Sequence, residues 1–362
     1  MKNSFGNSIV ITLFGESHGD YIGAVLDGLA PGIKIDQEYI STKLALRRPQ
    51  GKISTSRVEK DEYQIVSGEY KGYTTGTPLC ILIPNTNKKS SDYGEALDIP
   101  RLGHADFTAR MKYHGFEDYR GGGHFSGRLT AAIVAVGAIL ASALENKGIK
   151  IGSHITELHG AFDRPFEDYE SDIDLVNAKS FPTLTESAEE SMKKEIEKAA
   201  ALGDSVGGIL ESAVIGMPAG VGEPWFDSME SMLSHALFSI PAVKGVEFGL
   251  GFAFADVYGS EGNDAFAVTD GRVTTLTNNN GGINGGITNG MPITFRTVIK
   301  PTPTIFKEQE SVSLSKMENA TLKAAGRHDP AIIHRARAVV DAMAAIVMAD
   351  MLTTRYGTDY LA

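Results

Sequence analysis

The basic residues and histidines of this chain gather in glycine-rich stretches, and that pairing suits the capture of anions. Glycine lets backbone N–H groups approach an anion, while Arg and Lys add charge and forked donors. Gly15-Glu16-Ser17-His18-Gly19 follows an apolar β-branched run, a place where catalytic groups often sit, though the same residues would serve as a turn with a capping serine. Arg47-Arg48-Pro49, with Lys52 and Arg57 close behind, puts four cations in eleven residues. That exceeds what a helix end needs to complement its dipole, so an anion site is expected there. Arg101-Leu102-Gly103-His104-Ala105-Asp106 sets a histidine between a glycine turn and a carboxylate. Such a histidine can be oriented as a general acid, or can simply close a local His–Asp hydrogen bond.

Tyr119-Arg120-Gly121-Gly122-Gly123-His124-Phe125-Ser126-Gly127-Arg128 opens a long apolar stretch. Three glycines and two arginines before a helix N-terminus make an anion cradle. Asn278-Asn279-Asn280-Gly281-Gly282-Ile283-Asn284-Gly285-Gly286-Ile287 is costly to order, and buried Ile283 and Ile287 would anchor it around a ligand. Lys300-Pro301-Thr302-Pro303-Thr304 offers a cation and two hydroxyls stiffened by prolines, suited to a phosphate tail or to an ordinary strand exit. Gly326-Arg327-His328-Asp329-Pro330 precedes another apolar run, with Arg335 and Arg337 following. Pro330 suits a first helical position, so Asp329 reads either as a helix N-cap or as a catalytic carboxylate. His154 and His159 flank Glu157 on a strand-like segment and would face opposite sides, so no metal site is assigned.

The elements that must position these groups do not alternate as regular βαβ units. No dinucleotide-binding or P-loop glycine motif is present. The reading is α+β, with strands at 8–14, 77–83, 149–158, 206–215, 243–255 and 291–299. Helices are expected at 37–48 with Asp36 as N-cap, at 129–145, at 189–202 and at 331–352. Thr74-Thr75-Gly76-Thr77-Pro78-Leu79 and Thr288-Asn289-Gly290-Met291-Pro292-Ile293 are each a glycine turn entering a strand, which hints at an internal duplication. Residues 161–191 are acidic and read as a surface insertion. The single cysteine, Cys80, forbids an internal disulfide and fits a reducing compartment. No uninterrupted run of 18 apolar residues and no signal-peptide core occur, so neither membrane span nor export is expected. A formal charge of −11 gives no overall positive field for nucleic acid.

In order and spacing, six of these stretches together resemble the chorismate synthase family from end to end: 15–19, 101–106, 119–128, 280–287, 300–302 and 326–330. The resemblance implies a single-domain β-α-β sandwich over 1–362, with helices packed between antiparallel sheets and four copies in a homotetramer. It implies conversion of 5-enolpyruvylshikimate 3-phosphate to chorismate and phosphate in the cytoplasm. Reduced FMN is required without net redox, and NADPH enters only indirectly through a separate flavin reductase. The family's flavin pocket maps onto His124, Phe125, Ser126, Pro241, Ala242, Gly285, Lys300, Pro301, Thr302, Pro303, Thr304 and Arg327, and its substrate site onto Arg47, Arg48, Arg128 and Arg335. In that scheme His104 protonates the departing phosphate, His18 supports the reduced flavin, and Asp329 assists hydrogen removal. His124 and Phe125 stand where the family usually has Arg and Ser, and Leu102 where it usually has Pro. Two other readings stay open: a net flavin oxidoreductase, and a binding protein for phosphorylated ligands or RNA, although the lack of an extended basic face argues against RNA.

Overall fold

Leu79, Ile81 and Ile83 are fully buried while Cys80 and Leu82 between them are only half-buried. That is the period-two signature of a strand with one face on a core. The computed structural model describes residues 2–49, 51–54, 61–86, 98–323 and 329–362. The chain runs through strands Ser4–Phe5 (β1), Val10–Gly15 (β2) and Tyr21–Asp27 (β3), and helix Gln37–Leu46 (α1). Strands Gln64–Ser67 (β4), Glu69–Tyr70 (β5), Tyr73–Thr74 (β6) and Leu79–Pro84 (β7) follow, then helices Asp106–Tyr113 (α2) and Thr130–Glu145 (α3). Next come Lys150–Leu158 (β8), Ala161–Phe162 (β9), Tyr169–Ala178 (α4), Glu186–Ala201 (α5), Gly208–Ile215 (β10), Met229–Phe238 (α6) and Val243–Phe248 (β11). One-turn helix Gly259–Gly262 (α7) precedes hairpins Phe266–Thr269/Arg272–Thr275 (β12, β13) and Ile283–Asn284/Ile287–Thr288 (β14, β15). Strand Ile293–Ile299 (β16), hairpin Gln309–Ser313/Glu318–Leu322 (β17, β18) and helix Ile333–Tyr356 (α8) complete the order.

Among the described residues two five-stranded antiparallel sheets form, ordered β1-β2-β3-β7-β4 and β11-β16-β10-β8-β9. Helix α3 packs on the first sheet, α6 and α8 on the second; α3 meets α8 between the sheets, and α1 lies against α3. This is the expected α+β sandwich with helices between sheets. The strands that follow the two glycine turns, β7 and β16, hold the same place, second from an edge of a five-stranded sheet. Gly76 and Gly290 both adopt positive φ in those turns.

Helix α3 is apolar on every side because every side is covered: thirteen of its sixteen residues are buried. By length and composition residues 127–145 would suit a membrane, yet 83% of that window lies inside the protein. The two central helices approach closely at Gly137, where an added Cβ would meet Ala342 Cβ at 2.5 Å. Asp36 caps α1 through the Tyr39 N–H, as expected. Asp350 on α8 accepts from the N–H groups of Asn7, Ser8 and Ile9 at 2.7–2.9 Å, pinning the entry to β2.

Two expectations change. Residues 161–191 are not a loose excursion: Phe166, Ile173, Val176 and Leu184 are buried with Ala213 in a small core of their own. Many of its acidic side chains face outward, but those of Asp163 and Asp172 are buried, beside His154 and Arg164 respectively. Helix α8 starts at Ile333 with Ile332 at its cap, so Asp329 is not its N-cap and Pro330 is not its first residue.

Candidate active site

Three polypeptide segments meet above the ends of the central helices: the exit of α1, the entry to α3 and the entry to α8. They enclose a cavity of about 310 Å³. Arg47, Arg48, Arg128 and Arg335 line it, with Asp61, Asp329, Ser17, Ser126, Thr130 and Pro241 among the other wall residues. Arg47 and Arg128 are each 7% exposed. Arg47 Nη1 donates to Asp61 Oδ2 at 2.5 Å, and Arg128 Nη1 donates to the other oxygen of the same carboxylate. Arg47 Nη2 also donates to Gly127 O and Thr130 Oγ1. Burial pulls the Arg47 guanidinium below its usual pKa, and Asp61 opposes that shift. Arg335 Nη1 donates to Asp329 Oδ2 at 2.6 Å, and its Nε to Arg47 O at 2.7 Å. Asp329 therefore acts on the arginine one turn into α8.

The glycine-rich entry to α3 folds as tight turns in which Gly121, Gly122 and Gly123 all take positive φ. Only that backbone lets the chain press on its neighbours: a Cβ at Gly121 would meet His18 Cε1 at 2.3 Å. His18 is buried beside this turn, and Ser17 N donates to Gly123 O at 3.0 Å. His124 Nδ1 meets Gly15 O at 2.8 Å, so the two loops close on each other. Asn85 joins them to the arginines. Its amide donates to Glu16 O and Gly19 O, and its Oδ1 accepts from Arg128 Nε. Phe125 is exposed and packs edge-on against Tyr113.

A neighbouring cluster is built on the exit of β16. His104 Nε2 meets Thr304 Oγ1 at 2.6 Å, and Lys300 Nζ donates to Gly103 O at 2.8 Å. Asp106 takes Arg101 through its backbone N–H, Nε and Nη2. Burial would raise the Asp106 pKa, but Arg101 outweighs it and the net shift is downward. Thr302 Oγ1 is buried without a hydrogen-bond partner among the described residues.

Against the sequence expectations, Arg47, Arg48, Arg128, Arg335, Asp329, Ser126 and Pro241 share one cavity. His18 sits immediately behind its wall residue Ser17. His104, Lys300, Pro303 and Thr304 form the adjacent cluster and do not line that cavity, and neither do Ala242, Pro301 or Gly285. Ala242 takes a positive φ and accepts from Lys300 N, which ties it to the same cluster. Gly285 lies in the β14–β15 turn, where nothing stands within 4 Å of an added Cβ. Arg327 and Arg57 lie outside the described residues, as does the Lys52 side chain. Arg337 leaves the group altogether. It is fully buried and donates to Val176 O and Lys179 O at the end of α4, because two residues along a helix turn the side chain to the far side.

The whole course of this architecture and sequence has known counterparts. Residues 9–353 match the family model described as chorismate synthase. The chain belongs to the chorismate synthase family. The chorismate synthase of Thermococcus gammatolerans is 47% identical over 351 residues, with 97% of each chain covered. That of Pyrococcus abyssi is 46% identical with the same coverage, and that of Methanosarcina barkeri 45% identical, covering 96% of this chain and 95% of its own. A crystal structure of a chorismate synthase superposes with a TM-score of 0.76 at 29% identity, covering 98% of this chain and 95% of the other.

Sequence reasoning missed three residues of this cavity and its surroundings. Asp61 stands in Glu59-Lys60-Asp61-Glu62, which reads as a solvated charge run, yet its side chain is fully buried. Ser17 reads as a turn residue but forms part of the wall. Asn85 carries no spacing signal, because its partners come from residues 16, 19 and 128.

Proposed function

We propose that this cavity binds 5-enolpyruvylshikimate 3-phosphate and that the protein is a carbon–oxygen lyase, releasing phosphate to give chorismate in the shikimate route to aromatic amino acids. The observation that carries the reading is the convergence of four arginines on one cavity in a chain of net charge −11. The substrate bears a phosphate and two carboxylates, and only a concentrated cationic wall offsets the cost of desolvating them together. Arg47, Arg48, Arg128 and Arg335 would receive these groups.

Reduced FMN is the cofactor of this reading. The residues suit such a group: Thr302 offers a buried hydroxyl without a partner among the described residues, and Gly285 an open backbone face. Those two, with Lys300, Pro301, Pro303, Thr304, Ala242, Pro241, Ser126, Phe125, His124 and Arg327, would hold it. When bound, a dihydroflavin supplies transient electron donation with no net redox change. The chain's own residues do the rest. His104, braced by Thr304, would hold a proton for the departing phosphate. His18, wedged against Gly121, would keep its ring oriented toward the flavin. Asp329, fixed by Arg335, would take part in removing the hydrogen at the other end of the allylic system. We read residues 1–362 as one domain, since α3 touches both sheets and packs on α8, which covers the second.

Self-association as a homotetramer belongs to the same reading. Phe266, Val268 and Val273 share one face of the β12–β13 hairpin and are 71%, 76% and 67% exposed. An apolar face this open suits burial by another copy. A cytoplasmic location and a separate flavin reductase, the route by which NADPH would enter, complete the proposal.

The test is anaerobic: chemically reduced FMN and the enolpyruvyl phosphoester are mixed with the protein, and phosphate release is followed. Many turnovers per flavin support the lyase. One flavin oxidised per product would make the protein a net oxidoreductase, and no phosphate would overturn both.

A further inference from the structure

The inner wall of the cavity carries a negative charge that an anion-binding site has no evident use for. Asp61 is 4% exposed, and its two oxygens are taken by Arg47 and Arg128. Its backbone stands at φ +51°, a left-handed conformation that aspartate visits at a modest cost and glycine without one. The two guanidiniums are fixed from behind as well. Arg47 is held by Gly127 O and Thr130 Oγ1, and Arg128 by Asn85 Oδ1 and Pro84 O. The carboxylate thus fills the inner face of a two-arginine fork whose other side opens on the cavity.

We propose that Asp61 is a positioning residue: it occupies the inner face of the Arg47–Arg128 fork so that a phosphate group can bind only at the outer, cavity-facing side and can leave again. This rests on the reading of the cavity as a phosphate site. The physical argument is one of charge and space. Two buried guanidiniums without a carboxylate between them would attract any small oxyanion into the vacated place. A phosphate bound there would be sunk behind the reacting position. With Asp61 present, the inner donors are satisfied and the local charge is reduced by one. The fork then holds a phosphate less tightly, as a site that must release inorganic phosphate requires.

The test uses the full chain and inorganic phosphate as the probe. Glycine tolerates φ near +51° without strain, so Asp61→Gly removes the carboxylate and leaves a carboxylate-sized space with no added backbone cost. Calorimetry is expected to show phosphate binding at least about tenfold tighter than in the unsubstituted protein, since a like charge within a few ångströms of the ligand is gone. Formate, which fits the space, is expected to return the phosphate affinity toward the original value. Asp61→Asn keeps the volume and is expected to shift in the same direction. In turnover, phosphate becomes a stronger product inhibitor of both variants, and formate relieves that inhibition in the glycine variant.

Unchanged or weaker phosphate binding in variants that melt cooperatively would overturn the proposal. So would loss of cooperative melting in both variants, which would make Asp61 a structural bridge. If phosphate binding tightens as expected but the unsubstituted protein releases no phosphate from the enolpyruvyl ester, the proposed reaction fails and the role of Asp61 stands.

Discussion

Two groups of buried charges lie on either side of α8, and they behave differently. On one side Arg47, Arg128, Asp61, Arg335 and Asp329 face a cavity of about 310 Å³. On the other, Arg337 is fully buried against Asp341, Asn177, Val176 O and Lys179 O. Asp341 in turn accepts from Ser153, whose hydroxyl meets Ser212. His154 sits nearby between Glu211 at 2.7 Å and Asp163 at 3.6 Å, edge-on to Phe166. Both groups contain arginines paired with aspartates in low-dielectric surroundings. The first sets its guanidiniums along an open volume, while the second turns its guanidinium to backbone carbonyls and fixes α4 to the sheet. Buried charge by itself therefore does not mark a site. Charge facing space does.

The largest expected effect tests the cluster beside the open side. His104→Ala should cut turnover by about 10²–10⁴-fold, the usual range for a lost general acid. Single-turnover phosphate release would measure it, and turnover at the unsubstituted rate would remove His104 from the chemistry. On the closed side, Arg337→Met strands Asp341 and frees the α4 carbonyls. It should lower unfolding free energy by about 3–5 kcal/mol while leaving KM unaltered. Denaturant melts beside steady-state kinetics would show this, and a raised KM with intact stability would erase the contrast drawn above.

Acid and base should act oppositely on two histidines. Burial, helped by Arg335 and Lys193, holds the His334 pKa down at about 3. Its folded value lies below the unfolded one, so the unfolded chain takes up the proton first and stability falls as pH drops below about 6.5. Between pH 6.5 and 5 the loss should reach about 2 kcal/mol, at 1.36 kcal/mol per unit. His334→Gln should flatten that limb. For His154, burial alone would lower the pKa, but Asp163 and Glu211 outweigh it and the net shift is upward. Its contribution is complete below the unfolded value and is lost as pH rises through the folded one, so His154→Gln should flatten the alkaline limb instead. Matching acid slopes for both variants would contradict this assignment. The smallest effect belongs to Arg335→Lys, which keeps charge but cannot bridge Asp329 and Arg47 O together. A rise in KM of roughly tenfold, with kcat little changed, is expected.

The sequence alone determined the α+β class, the places of many long strands and helices but not of β3, α4 or α6, and which loops concentrate cations and glycines; the strand expected over 243–255 ends at Phe248. Those features are local: β-branched alternation in β7, the unbroken apolar content of α3, the Asp36 cap, and positive φ at Gly121–Gly123. Tertiary structure alone decided which cations face the cavity. Arg335 and Arg337 look equivalent in sequence and point to opposite partners, because one helix must serve a cavity on one side and a packed layer on the other. It also decided that Asp61, one acid within a charged run, lies buried between arginines 14 and 67 residues away. Local propensity cannot specify such a meeting, since the energy that fixes it arises only when distant segments exclude water together.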